Sequence, residues 1–248
     1  MYSEKKRVAY SEVSGSGCAD IAQVAEYFQD ISCAHSEHVG GGIKTLLEEE
    51  GCGWLLAGWQ IIVDRYPAYH EEITVQTIPY AFDSIVAFRG YQILDSSGAC
   101  IASANANWFL IDVKKGMPRR ISSQIASAYD PLDPKPDLQY ASRKVRYRGD
   151  MQRQEPILVR RAFTDTNHHM NNSWYIRLAM ECLPADFVIR QVRVEYTRAA
   201  VSGDRIFPYT AHDENVWHIR LADEAGQTYA MLEFTRALAA EPEGTGED

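Results

Sequence analysis

Two hydrophobic periods alternate along the chain. Ile21, Val24, Ala25, Phe28 and Ile31 recur at helical spacing behind Asp20, a residue type that caps helices. They predict a helix that ends before Gly40-Gly41-Gly42, with a second short helix over residues 43–50. From Trp54 the pattern becomes that of strands. Trp59, Ile61 and Val63, then Ile73, Val75 and Thr77, alternate or run apolar, with Tyr66-Pro67 between them. Residues 85–94 and 100–111 predict two more strands, joined at Asp95-Ser96-Ser97-Gly98, a sequence of turn residues. Pro118, Pro131, Pro134 and Pro136 punctuate a weakly periodic stretch over 114–138, which reads as a linker.

The pattern then repeats. Residues 144–148 and 157–161 are strand-like. A helix is expected from about Asn172 to Leu183, with Trp174, Leu178 and Leu183 near one face. Strands follow over 192–197, 205–211, 216–221 and 228–238. Asp223-Glu224-Ala225-Gly226 is a second hairpin turn, displaced from the first by 128 residues. A helix followed by antiparallel strands, given twice, predicts an α+β chain in which each half wraps an antiparallel sheet around a long helix. The expected organisation is one unit over 1–113, a linker over 114–138, a second unit over 139–240 and a disordered Glu-, Gly- and Pro-rich tail over 241–248. Residues 1–9 read as a frayed start.

Composition narrows the function. The chain has 248 residues, 46% of them hydrophobic, and a formal net charge of −9. Such an acidic chain is a poor general binder of nucleic acid, because neutralising phosphates takes clustered Lys and Arg. Between Arg143 and Arg161, however, seven basic residues stand against Asp150 and Glu155 alone, a local surplus that suits either an acidic partner or a solvated face. Cys18, Cys33, Cys52, Cys100 and Cys182 have no zinc spacing and are odd in number, which predicts reduced thiols and a cytoplasmic setting. His35 and His38 stand three apart with no third ligand in view, so no metal and no cofactor are expected. The charged N-terminus lacks the apolar core of a signal peptide, and no apolar run approaches the length of a membrane span.

The densest chemistry lies in Asp165-Thr166-Asn167-His168-His169-Met170-Asn171-Asn172, just before the second helix. Most polar clusters in that position are only a cap and a solvated loop. One carboxylate, three Asn and two His in eight residues exceed what a cap needs. At a helix start, N–H groups and the dipole also favour developing negative charge.

This packet, with Tyr175 and Glu181, resembles the D-x-N-x-H-V-N-N-x-x-Y-…-E segment of plant and bacterial acyl-ACP thioesterases. Trp59-Gln60-Ile61-Ile62-Val63-Asp64-Arg65-Tyr66-Pro67 is similar to the family's M-Q-V-V-V-D-R-Y-P strand. Trp108-Phe109-Leu110-Ile111 with Arg119-Arg120-Ile121 is similar to W-V-M-M…R-R-L, and Val194-Glu195-Tyr196-Thr197-Arg198 to L-E-Y-R-R. The resemblance covers roughly residues 8–238. It implies two hotdog domains in tandem, with the acyl pocket in the N-terminal one. It also implies hydrolysis of the thioester between a fatty acyl chain and the phosphopantetheine arm of acyl carrier protein. Carried over by position, Asp165, Asn167 and His169 are the catalytic candidates: Asp165 to polarise water or attack directly, His169 to orient the water, and Asn167 with helix-start N–H groups to receive the oxyanion. Glu181 would be structural. One departure stands out: where L-E-Y-R-R continues into E-C in the family, this chain has Ala199-Ala200. An acyl-CoA thioesterase or a non-catalytic acyl-binding hotdog protein are the alternatives, and either a monomer or a homodimer is compatible.

Overall fold

A computed structural model of the chain describes residues 1–237; the expected tail and the end of the last expected strand lie outside them. Four helices, α1 (Ile21–His38), α2 (Ile43–Glu50), α3 (Ser123–Ser127) and α4 (Asn172–Met180), accompany twelve strands. The strands are β1 (Tyr2–Arg7), β2 (Cys52–Val63), β3 (Glu72–Asp83), β4 (Val86–Leu94), β5 (Cys100–Asp112), β6 (Met117–Pro118), β7 (Gln152–Arg153), β8 (Ile157–Leu158), β9 (Ile189–Tyr196), β10 (Arg205–His212), β11 (Val216–Ala222) and β12 (Thr228–Arg236).

All the strands join one antiparallel sheet, ordered β1-β3-β4-β5-β2-β9-β12-β11-β10-β7, with β6 on β5 and β8 on β10. The order is a palindrome about the β2–β9 pair: β5 answers β12, β4 answers β11 and β3 answers β10. The duplication read from the two hairpin turns is therefore present in three dimensions, and the architecture is a double hotdog. The two sheets expected from the sequence are fused, because β2 pairs with both β5 and β9 and is buried over most of its length from Leu56 on. At the seam, β2 bulges between Leu56 and Gly58. A Cβ on Gly58 would stand 2.6 Å from the Val194 carbonyl oxygen, so glycine alone permits this approach.

Helix α1 starts where Asp20 accepts from the Gln23 N–H at 2.7 Å, and its predicted face, Ile21 to Ile31, is buried. It packs on β1, β2 and β3. Its C-terminal half also meets α2, which buries Leu46 but leaves Ile43 and Leu47 half exposed.

Several local expectations differ from the structure: the strand expected over 157–161 is only the two-residue β8, with a 3-10 turn from Arg161 to Phe163 soon after it. The supposed frayed start is strand β1, recruited by the open edge of β3 and fastened where Arg7 pairs with Glu72 at 3.2 Å. Residues 144–148 alternate like a strand but join no ladder. Side chains of β9 take their backbone groups instead: Glu195 Oε2 accepts from the Val145 N–H at 3.1 Å, and Arg193 donates to the Ser142 and Lys144 carbonyls. Helix α4 stops at Met180 rather than Leu183, because the Cys182 and Leu183 N–H groups turn back to carbonyls three residues earlier, just before Pro184.

Candidate active site

Asp165, Asn167 and His169 share one five-residue loop. The Asp165 N–H donates to the His169 carbonyl at 2.8 Å, and the His168 N–H to the Asp165 carbonyl at 3.0 Å. Asp165 Oδ1 accepts from the N–H groups of Asn167 (2.8 Å) and His169 (3.3 Å). His168 sits at φ +62°, in the left-handed region.

The two hairpins are closed by the same turn. Asp95 and Asp223 accept with Oδ1 from N–H groups up to four residues on, and Gly98 and Gly226 hold the left-handed position. The packet is thus a standard aspartate turn in which a histidine bears the strained position. The three copies differ in their second oxygen. Arg65 takes Oδ2 of Asp95 at 3.4 Å, and Arg198 takes Oδ2 of Asp223 at 2.6 Å. Both carboxyls are held below the usual range, Asp95 chiefly by the Ser97 hydroxyl and Asp223 chiefly by the Gln227 N–H. Among the described residues no side chain takes Oδ2 of Asp165, which remains half exposed. A carboxylate whose one oxygen is tied down and whose other is open is fixed in orientation and able to accept from a water.

The turn is anchored on both flanks. Buried Met170 follows it, and the Met170 N–H donates to the Ala200 carbonyl at 2.8 Å. His169 bridges to Val201, and the Asn171 N–H returns to the Phe163 carbonyl. The Ala200 N–H donates to the Tyr175 hydroxyl at 2.7 Å. Burial pushes the Tyr175 phenol up to about 12, so it stays protonated and holds this geometry across the physiological range. The segment in which the family carries Glu-Cys therefore runs beside the packet, with exposed Ala199 and buried Ala200 presenting no reactive group. Sequence reasoning missed this positioning role of Tyr175; its place in the matched motif was the available signal.

The N–H groups at the helix start are partly engaged. Asn171 caps α4, its side chain accepting from the Ser173 N–H at 3.1 Å and its carbonyl from Trp174. The loop N–H groups of Asn167, His168, His169 and Met170 are likewise spent internally. The Asn172 N–H and the Asn167 side-chain amide have no acceptor among the described residues. Glu181 lies at the far end of α4 as its C-cap, away from the packet, in keeping with a structural residue.

Asn167 reaches out of its own half. It lines a cavity of about 140 Å³ in the N-terminal half, together with Ser36 of α1, Leu46 of α2, Trp54 of β2, Arg89 of β4 and Trp108 of β5. A polar seam sets this reach. Arg177 of α4 pairs with Asp20 (3.2 Å) and Glu26 (3.1 Å) of α1, Ser173 Oγ donates to Glu26, and the Asn172 amide donates to Gln29. Asp165 and His169 do not line the cavity. They stand on the same turn at its Asn167 edge.

Among the described residues no group of three or more His, Cys, Asp or Glu could hold a metal ion, and no helix is long and apolar enough to cross a membrane. His35 stacks on Tyr2 rather than pairing with His38.

The acyl-ACP thioesterase N-terminal domain family model matches residues 1–129, and the C-terminal domain model matches residues 147–234. The chain is 24% identical over 231 residues to oleoyl-acyl carrier protein thioesterase 2, chloroplastic, of Arabidopsis thaliana, covering 86% of this chain but only 63% of that protein. It therefore spans less than two thirds of that relative's length. Among solved structures it resembles an acyl-ACP thioesterase from Bacteroides thetaiotaomicron, with a TM-score of 0.86, 19% identity and coverage of 95% and 97% of the two chains. It also resembles a 12:0-ACP thioesterase from Umbellularia californica, with a TM-score of 0.81, 17% identity and coverage of 95% and 96%. Matched across both of its halves, the chain belongs to the acyl-ACP thioesterase family.

Proposed function

We propose that the protein hydrolyses the thioester of a fatty acyl chain carried on acyl carrier protein. The observation that carries this reading is the Asp165 turn, with its open Oδ2, held where Asn167 forms part of the wall of an apolar cavity. Thioester hydrolysis asks for an activated water and an oxyanion donor; the thiolate, with a thiol pKa near 8.5, leaves readily. Asp165 Oδ2 accepts a proton from water as the water oxygen bonds to the acyl carbon. His169 orients that water. The Asn167 amide donates to the oxygen that gains negative charge. Collapse breaks the carbon–sulfur bond, and the proton passes to the departing thiolate, giving free fatty acid and the carrier thiol. The route needs neither a Cys nucleophile nor a strand Glu, consistent with Ala199-Ala200.

Acyl carrier protein would approach the basic segment. Lys144, Arg146, Arg148, Arg160 and Arg161 are exposed there, and none has an ion-pair partner among the described residues. The cysteines are all free thiols, which suits a reducing, cytoplasmic setting.

The test is a pair of variants. An Asn at 165 can still accept from the two loop N–H groups but is no base. Asp165→Asn is expected to lower kcat for acyl-ACP by about a hundredfold or more, with an unchanged thermal midpoint. Asp165→Ala is expected to lose both activity and stability, by about 1 kcal/mol. Near-normal turnover by Asp165→Asn would leave Asp165 a turn residue and nothing more. A preference for acyl-CoA over acyl-ACP would replace the carrier assignment.

A further inference from the structure

Helix α2 forms one wall of the cavity, and its own sequence supports it poorly. It has eight residues, and helices this short are marginal on their own. Its charges oppose its dipole: Lys44 lies in the first turn, where positive charge is unfavourable, and Glu48, Glu49 and Glu50 crowd the last. Its N-cap, Gly42, offers no side chain to the free N–H groups. Glycines with left-handed backbone stand beyond both ends, Gly40 at φ +76° and Gly51 at φ +62°. Leu46 alone is buried, and it sits in a small cluster with Cys52, Leu110 and Ile125, apart from the main core. Ile43 and Leu47 line the cavity, yet each is about half exposed.

Two side chains from outside the helix supply what it lacks. Glu37 of α1 accepts from the Ile43 N–H at 3.2 Å and places negative charge at the N-terminal end. Arg119, just after β6, donates to the Glu50 carbonyl and pairs with the Glu50 carboxylate at 3.0 Å, placing positive charge at the C-terminal end. Arg119 is itself fixed, since its N–H donates to the Leu110 carbonyl at 2.7 Å. We propose that α2 is a releasable wall of the acyl cavity and that Arg119 is the latch that sets which chain lengths the cavity admits. This deepens, and rests on, the thioesterase reading above. With α2 latched, the cavity has room for a benzene molecule, or about six carbons. A longer chain needs the wall to swing outward about Gly40 and Gly51, and the exposed faces of Ile43 and Leu47 then gain an apolar partner. Loss of the latch lowers the cost of opening, which favours long chains over short ones.

The experiment compares hexanoyl- and dodecanoyl-ACP with the wild-type chain, Arg119→Met and Arg119→Lys, each checked for fold by circular dichroism. Arg119→Met is expected to raise the ratio of kcat/KM for dodecanoyl to that for hexanoyl by about fivefold, the effect of removing one helix-end charge and its ion pair. Arg119→Lys, which keeps the charge, should stay nearer the wild type. Amide hydrogen exchange should quicken over residues 43–50 in Arg119→Met and stay slow in α1. A ratio that Arg119→Met leaves unchanged or lowers, or exchange over 43–50 that does not quicken, overturns the proposal. If no thioester is hydrolysed, the thioesterase reading fails by itself. Calorimetric binding of the matching acyl-pantetheine amides (NH in place of sulfur) then decides the wall: a gain for dodecanoyl over hexanoyl in Arg119→Met upholds it, and an unchanged ratio of affinities overturns it. Should Arg119→Met fail to fold, Glu37→Ala releases the other end of α2 and is held to the same outcomes.

Discussion

At the scale of single residues, burial has made His35 a proton sensor of the fold. Its ring lies against Tyr2 on one side and edge-on to Tyr129 on another, near Arg89, His38 and the N-terminal ammonium, with Asp133 as the opposing charge. The folded chain resists protonating it, with a pKa lowered to about 4, whereas an unfolded histidine titrates near 6.5. Protons therefore favour the unfolded chain. The stability is intact above pH 6.5 and drains away as pH falls toward 4. Urea midpoints measured across that window should fall, and His35→Gln should flatten the slope; an equal slope in the variant would assign it to other groups. The packet is conspicuous in the sequence, because Asp165, Asn167 and His169 fall within five residues. The sequence could not reveal that Asp165 repeats the turns at Asp95 and Asp223, because His168 stands where those turns have glycine.

At the scale of elements, the junction of α1 and α4 decides whether loop and cavity meet. Arg177 bridges Asp20, the cap of α1, and Glu26 one turn and a half further on, each side chain about a quarter exposed. Arg177→Met strands two carboxylates at the contact. It should lower stability by roughly 1–3 kcal/mol, toward the lower end because water still reaches them. A denaturation curve superimposable on the wild type would mean that apolar packing alone holds α4. Element identities were largely legible from periodicity: α1, α2 and the β4–β5 and β11–β12 hairpins fall where the sequence predicts them. Two of the exceptions share one cause. Strand character in β1 and its lack at residues 144–148 depend on whether a neighbour's edge or a neighbour's side chains claim the backbone, which a local pattern does not carry.

At the scale of the molecule, the Asp165 turn belongs to one half and most of the cavity wall to the other, so the β2–β9 seam helps to set how the two meet. Gly58→Ala would press a methyl group against the Val194 carbonyl, and something must shift. Unfolding should begin earlier and broaden as the halves lose cooperativity, at a cost of about 1–3 kcal/mol; an unchanged, sharp transition would show that the seam yields. Antiparallel register admits no intermediate positions: a strand moved by one residue turns every side chain to the opposite face. The distance between the Asp165 loop and the cavity is thus quantised. Damage at the seam would not yield a population of uniformly sluggish enzymes. It would yield a mixture of fully competent molecules and inert ones, distinguishable by counting sites rather than by timing them.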